Sequence, residues 1–180
     1  MKKDKLKSFL EELKYDENSI NEILELVDNE KDIESLYNKI EFLNKNGVNQ
    51  EGIDIILSDN PLFLTTDIDT VKRSVNFLKN IKLENIANVL EINSELLSTS
   101  DQIMSENYKL LKILMPEKEV LNMLKIDSEI LSFNTNYLEK RLEFFIKNGL
   151  KDKIKNIILN RIEAFEDAED EIDLEELKNM

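Results

Sequence analysis

The sequence predicts an all-α fold, a solenoid of about four repeats of 33–34 residues, each with two helices and a short 3₁₀-like third helix. Three observations point there. Three glycines and two prolines in 180 residues leave little to interrupt helices. Apolar residues recur at helical spacing, not in strand-like alternation. The chain also matches itself at a fixed shift: NPLFLTT at 60–66 returns as NSELLST at 93–99 and as DSEILSF at 127–133. Each copy holds an apolar pair followed by Ser or Thr: Phe63-Leu64-Thr65, Leu96-Leu97-Ser98 and Ile130-Leu131-Ser132. Upstream, Ile53, Ile86, Val120 and Ile154 recur at the same period, with Leu57, Leu90, Leu124 and Ile158 four residues on. Thirteen residues after the inner leucines come Phe77, Leu110 and Phe144. Several features in one order at one period are the mark of a repeat array.

The elements follow in order. A degraded first copy supplies helices near 4–14 and 17–28, because Phe9-Leu10 lies 33 before Phe42-Leu43 and Ile20 lies 33 before Ile53. No Asn-Pro motif follows Leu24; DNEKD stands there instead, as suits an end repeat with a solvent-tolerant face. Helices near 31–45 and 50–58 come next, the latter carrying Ile53, Ile56 and Leu57 on one stripe. Pro61 suits the first turn of a short helix at 61–64, where a missing N–H costs nothing. Ile68, Val71, Val75 and Leu78 space a longer helix over 67–80. Thr66 with Asp69, and Thr99 with Gln102, resemble capping boxes. The pattern then repeats as helices near 84–91, 94–97, 102–114, 117–125, 128–131 and 135–147, with Pro116 opening 117–125. Gly47 and Gly149 sit just past long helices, where a left-handed cap belongs. A last helix, 151–165, begins one more copy through Ile154, Ile158 and Phe165. An acidic tail, 166–180, follows the repeat region 1–165. Phe42, Phe77 and Phe144 are expected in the core.

Composition narrows the function classes. The chain has no Cys and no His, so thiolate zinc sites, histidine bases and Ser-His-Asp triads have no residues to form from. No glycine-rich phosphate loop or nucleophile elbow occurs, and the carboxylates of the tail lack the spacing of a calcium loop. No enzyme, cofactor, metal site or small-molecule substrate is expected. No apolar run approaches the ~20 residues of a membrane span or forms a signal segment. The expectation is a cytoplasmic protein with no membrane partner. Net charge is −14, of which residues 162–180, with nine acids and one lysine, carry −8.

The succession FLNKNGV…IDIILSDNPLFLTT, then FLKNIKL…IANVLEINSELLST, then the copy ending DSEILSF, resembles the repeat of the mitochondrial transcription termination factor (mTERF) family. The resemblance covers about residues 9–165; only Asn60-Pro61 keeps the asparagine-proline of the motif, with Asn93-Ser94 and Asp127-Ser128 in the later copies. It implies a compact member of that family, a curved right-handed superhelix, and binding of double-stranded nucleic acid along a basic concave surface with a role in transcription.

Candidate contacts are few. Lys72, Arg73, Lys140 and Arg141 fall early in long helices, on a ladder (Arg73, Glu106, Lys140) that the middle copy breaks. A second cluster comprises Lys147, Lys151, Lys153, Lys155 and Arg161; residues 144–161 carry a net +4. It can meet phosphates or pair with the acidic tail that follows. Tyr108 and Tyr137 are possible partner contacts on long helices. The composition keeps a second class open, an acidic interaction scaffold, acting as a nucleic-acid mimic toward a basic protein partner.

Overall fold

The structure, a computed structural model, describes residues 2–25, 27 and 30–180. Eleven α-helices and five 3₁₀ helices, with no strand, make up the described residues. The chain forms two compact units, 1–100 and 101–180.

The first unit runs α1 (Lys2–Glu12), α2 (Glu17–Glu25), α3 (Glu30–Lys45), α4 (Gln50–Asp59), a short helix Pro61–Leu64, α5 (Ile68–Asn80), α6 (Ile86–Ile92) and a short helix Ser94–Ser98. Leu26 and Asp28, at the end of the helix expected over 17–28, lie outside the described residues. Successive copies stack element on element: α1 against α3, α3 against α5, α4 against α6, and the first short helix against the second. The second unit runs α7 (Asp101–Leu114), α8 (Glu117–Leu124), a short helix Glu129–Leu131, α9 (Thr135–Lys147), a 3₁₀ turn Lys151–Lys153, α10 (Ile154–Asn160), a short helix Ile162–Phe165 and α11 (Leu174–Asn179). Here α7 packs on α9 and on the Glu129–Leu131 helix.

The repeated register is the core. Ile53, Val120 and Ile154 are buried, as are Leu90, Leu124 and Ile158, while Ile86 and Leu57, expected in the same register, are only partly covered. Leu97, Leu131 and Phe165 are buried, while Leu64, in the first copy, is only partly covered. The degraded first repeat has no matching apolar pair to lay over it. Asn60 ties one short helix to the next, its amide donating to Ser94 O at 2.8 Å and to Ser98 Oγ at 3.0 Å.

Four expectations are corrected. The aromatic register Phe42, Phe77, Phe144 lies at the edge of the core and is half-buried; the next residue in each copy, Leu43, Leu78 and Phe145, is the one fully enclosed. A helix turns 100° per residue, so adjacent apolar positions cannot both point at the same neighbour. The helix expected over 151–165 breaks at Arg161 (φ −148°, ψ 46°), and Ile162–Phe165 forms a fourth short helix. Phe165 there stands where Leu131 stands one copy earlier and packs edge-on against Phe145 at 5.1 Å. The capping boxes do not form: Asp67 caps α5 by accepting from Asp69 N, while Thr66 Oγ1 donates to Leu62 O at 2.8 Å. Thr99 Oγ1 likewise turns back to Glu95 O at 2.9 Å.

The left-handed caps do form, and more often than the glycines suggest. Lys14, Gly47, Lys82 and Gly149 all have positive φ at the end of a long helix. In each, the next residue donates its N–H back five positions: Tyr15 to Leu10, Val48 to Leu43, Leu83 to Leu78 and Leu150 to Phe145. The donors Tyr15, Val48, Leu83 and Leu150 are all buried. In the remaining copy Pro116 occupies that place, lacks the N–H, and instead begins α8.

The register is checked by a pair of substitutions in equivalent short helices. Leu97→Asp places a carboxylate at a site with 0% exposure, whereas Leu62, 67% exposed, faces solvent. We expect Leu97→Asp to destabilise the first unit by about 4 kcal/mol or more. Leu62→Asp should stay within about 0.5 kcal/mol of the parent in chemical denaturation. Equal effects of the two would contradict the register.

Candidate nucleic-acid interface

Four of the long helices each carry one polar side chain into the core. Lys39 in α3, Ser74 in α5, Asn107 in α7 and Arg141 in α9 recur 33–35 residues apart and are all buried. Apolar residues enclose each one: Leu36 and Leu43, Val71 and Leu78, Met104 and Leu111, Leu138 and Phe145. All four donate to backbone carbonyls at the end of a short helix. Lys39 Nζ reaches Phe63 O, Leu64 O and Thr66 O at 2.5, 2.8 and 3.1 Å. Asn107 Nδ2 reaches Ile130 O, Leu131 O and Phe133 O at 3.2, 3.1 and 2.8 Å, the same three places two copies further on. Ser74 Oγ donates to Thr99 O at 2.8 Å and Arg141 donates to Asp167 O, each equivalent to Thr66 O. A short helix cannot satisfy its own last carbonyls, and leaving one buried without a partner costs about 1–3 kcal/mol.

Burial pushes the Lys39 ammonium down to about 8, the carboxylates of Asp32 and Asp67 pulling partly the other way. At neutral pH its three N–H groups match the three carbonyls.

This inward position decides what faces out. The residue before each donor is Asn38, Arg73, Glu106 or Lys140; Asn38, Arg73 and Lys140 are exposed and Glu106 is half-exposed. Arg73 donates to Thr70 Oγ1 at 3.1 Å, and its neighbour Lys72 pairs with Asp69 at 3.8 Å. Lys140 is exposed with no ion pair among the described residues. Arg141, one residue later, is turned away from any surface role. It is 6% exposed, its guanidinium donates to Tyr137 Oη at 2.8 Å, and it lies 5.5–5.6 Å from the Tyr137 and Phe144 rings. Tyr108 is also turned in: it is 6% exposed and donates to Glu117 at 2.9 Å, burial first and then Glu117 pushing its hydroxyl up to about 12. Tyr137 remains exposed, its hydroxyl within 3.4 Å of Glu166 O.

The second cluster splits. Lys147 and Lys151 are exposed, Lys147 loosely paired with Glu143 at 3.8 Å. Lys155 faces Glu119 at 3.9 Å. Arg161 binds Glu163 at 2.5 Å and also Glu176 of α11, while Lys153 Nζ donates to Met180 O at 2.9 Å. Glu176, first, and Glu163 hold the Arg161 guanidinium above its ordinary range. Lys140 and Lys151 therefore remain open on α9 and the turn that follows it, and Lys147, though paired with Glu143, is largely exposed.

Sequence reasoning missed Lys39, Asn107 and the carbonyls they serve. The signal was present: a polar residue repeated at the array's own period, inside an apolar stripe.

Burial of Lys39 makes stability depend on pH. Its native value near 8 lies below the ordinary 10.5, so between those values the unfolded chain holds the extra proton and stability rises with pH. We expect the stability of the parent relative to Lys39→Met to increase by about 1–3 kcal/mol from pH 8 to 10.5. Denaturant titration of both proteins across that window checks it; a flat difference contradicts it.

Comparison with protein families matches the chain to the family described as mTERF over residues 1–160. No curated protein matches it.

Proposed function

The chain belongs to the mTERF family, helical-repeat proteins that generally bind nucleic acid in connection with transcription, and from that membership we propose that it binds double-stranded nucleic acid and acts as a regulatory protein in transcription. The observation that carries the reading is the extent of the match, 160 of 180 residues, over copies of one unit. The charge distribution supports it: the −14 total is concentrated in 162–180, whereas 144–161 carry +4.

The contacts proposed are Lys140, Lys147 and Lys151 of the second unit; Lys72 and Arg73 are exposed basic positions of the first unit, considered by themselves. Lysines on flexible stems meet phosphates as point charges, so binding of this kind positions the protein and carries little sequence selectivity. Arg141 and Tyr108, being enclosed, are left out of the contact set. Lys155, Lys153 and Arg161 enter only where their partners in the chain release them.

One observation favours a second reading. Acids of this same chain already engage Lys155 and Arg161, as expected of an acidic scaffold that meets a basic protein.

Fluorescence anisotropy with a 20-base-pair duplex tests the first reading. Three phosphate contacts correspond to a slope of about −3 in log K against log salt, so affinity should fall roughly 40-fold between 50 and 200 mM salt. Lys140→Glu with Lys151→Glu should weaken binding further. Absence of saturable, salt-sensitive binding, together with binding to polylysine, would favour the scaffold instead.

A further inference from the structure

Beyond Asp167 the chain does something the repeats do not require. The fourth short helix ends at Phe165, and the Arg141 bond to Asp167 O completes the carbonyl pattern of the array. Ala168, Glu169, Asp170 and Glu171 then form an exposed turn, closed by Glu171 N donating to Ala168 O at 3.0 Å. After it, Asp173 caps α11 by accepting from Glu175 N and Glu176 N, both at 3.0 Å. The helix lies back on the second unit, with Leu177 1% exposed and Leu174 half-covered. Its Glu176 engages Arg161, and just after it Met180 O accepts from Lys153 Nζ.

We propose that residues 171–180 are a displaceable internal mask, competing with nucleic-acid phosphates for Arg161 and Lys153 at the end of the second unit. This rests on the nucleic-acid reading above. Four features make the segment suited to come away. A helix of six residues has no stability of its own. A single fully buried side chain, Leu177, holds it. Its ion pairs are partly exposed and so contribute little each. The hinge at 168–171 lies outside the hydrogen bonds that bind 166–167 to α9. Tethering nevertheless gives the mask a high local concentration, enough to outcompete weak phosphate contacts until a partner supplies several at once. Release would free Lys153, would leave Arg161 with Glu163 as its one remaining acidic partner among the described residues, and would carry the acidic charge of the tail away from the phosphates approaching Lys147 and Lys151.

The test compares the full chain with two variants in duplex-binding titrations at 50 mM salt. Glu175→Gln with Glu176→Gln keeps Leu177 and the Asp173 cap while removing charge. A chain ending at Asp170 removes the mask but keeps Asp167 for Arg141. We expect about 5- to 10-fold tighter binding for the double substitution and a larger gain for the shortened chain. Adding Lys153→Gln to the shortened chain should reverse most of that gain. Equal affinity of all forms would overturn the mask and leave the nucleic-acid reading standing. A gain that survives Lys153→Gln would also overturn it, because lowered net charge alone would then account for it. No binding by any form would overturn both readings.

Discussion

A short helix buried in a repeat array ends in carbonyls that its own turns cannot satisfy, and this constraint organises the molecule. Each copy meets it with one donor from the middle of a long helix. The chemistry varies: ammonium at Lys39, hydroxyl at Ser74, amide at Asn107, guanidinium at Arg141. The place does not vary, because donor and acceptors must meet within hydrogen-bond distance in an enclosed site. That fixed meeting point sets the rotation of the long helix about its axis. It follows that the apolar residues three before and four after the donor face the core, and that the residue just before it faces water. The outward ladder of Arg73, Glu106 and Lys140 is thus a by-product of the inward one.

The same constraint redistributes charge. A chain with few arginines places one of them, Arg141, wholly in service of a backbone carbonyl and two aromatic rings. A second, Arg161, is held by acids on both sides. In the nucleic-acid reading proposed above, phosphate contact falls to lysines on α9 and the following turn, which are flexible point charges and not bidentate forks. A surface of this kind suits backbone contact and tracking more than base readout.

The array was legible in the sequence because packing repeats at the period of the chain: Ile53, Val120, Leu97 and Leu131 are all buried where the spacing put them. The short helix at Ile162–Phe165 was not, because Ala164 and Glu166 break the pattern of an apolar pair followed by Ser or Thr. Lys82 at a left-handed cap was not legible either, since only Gly47 and Gly149 carry the usual residue. The candidate site was half legible. Lys72, Arg73, Lys140, Lys147 and Lys151 could be found as exposed basic positions. Arg141 could not be told from Lys140 one residue earlier, because composition does not say which of two adjacent cations a helix turns inward.

By itself the sequence determined the all-helical class, the period and the family, since these depend on local helix preference and on apolar spacing, both of which are linear properties of the chain. Only the tertiary structure decided which polar side chains are spent inside. Lys39 and Asn107 meet carbonyls 23–27 residues away, and Arg161 meets Glu176 across a turn. Whether a cation faces solvent, a carbonyl or a carboxylate is settled by what folding brings beside it, and no spacing rule within one helix contains that information.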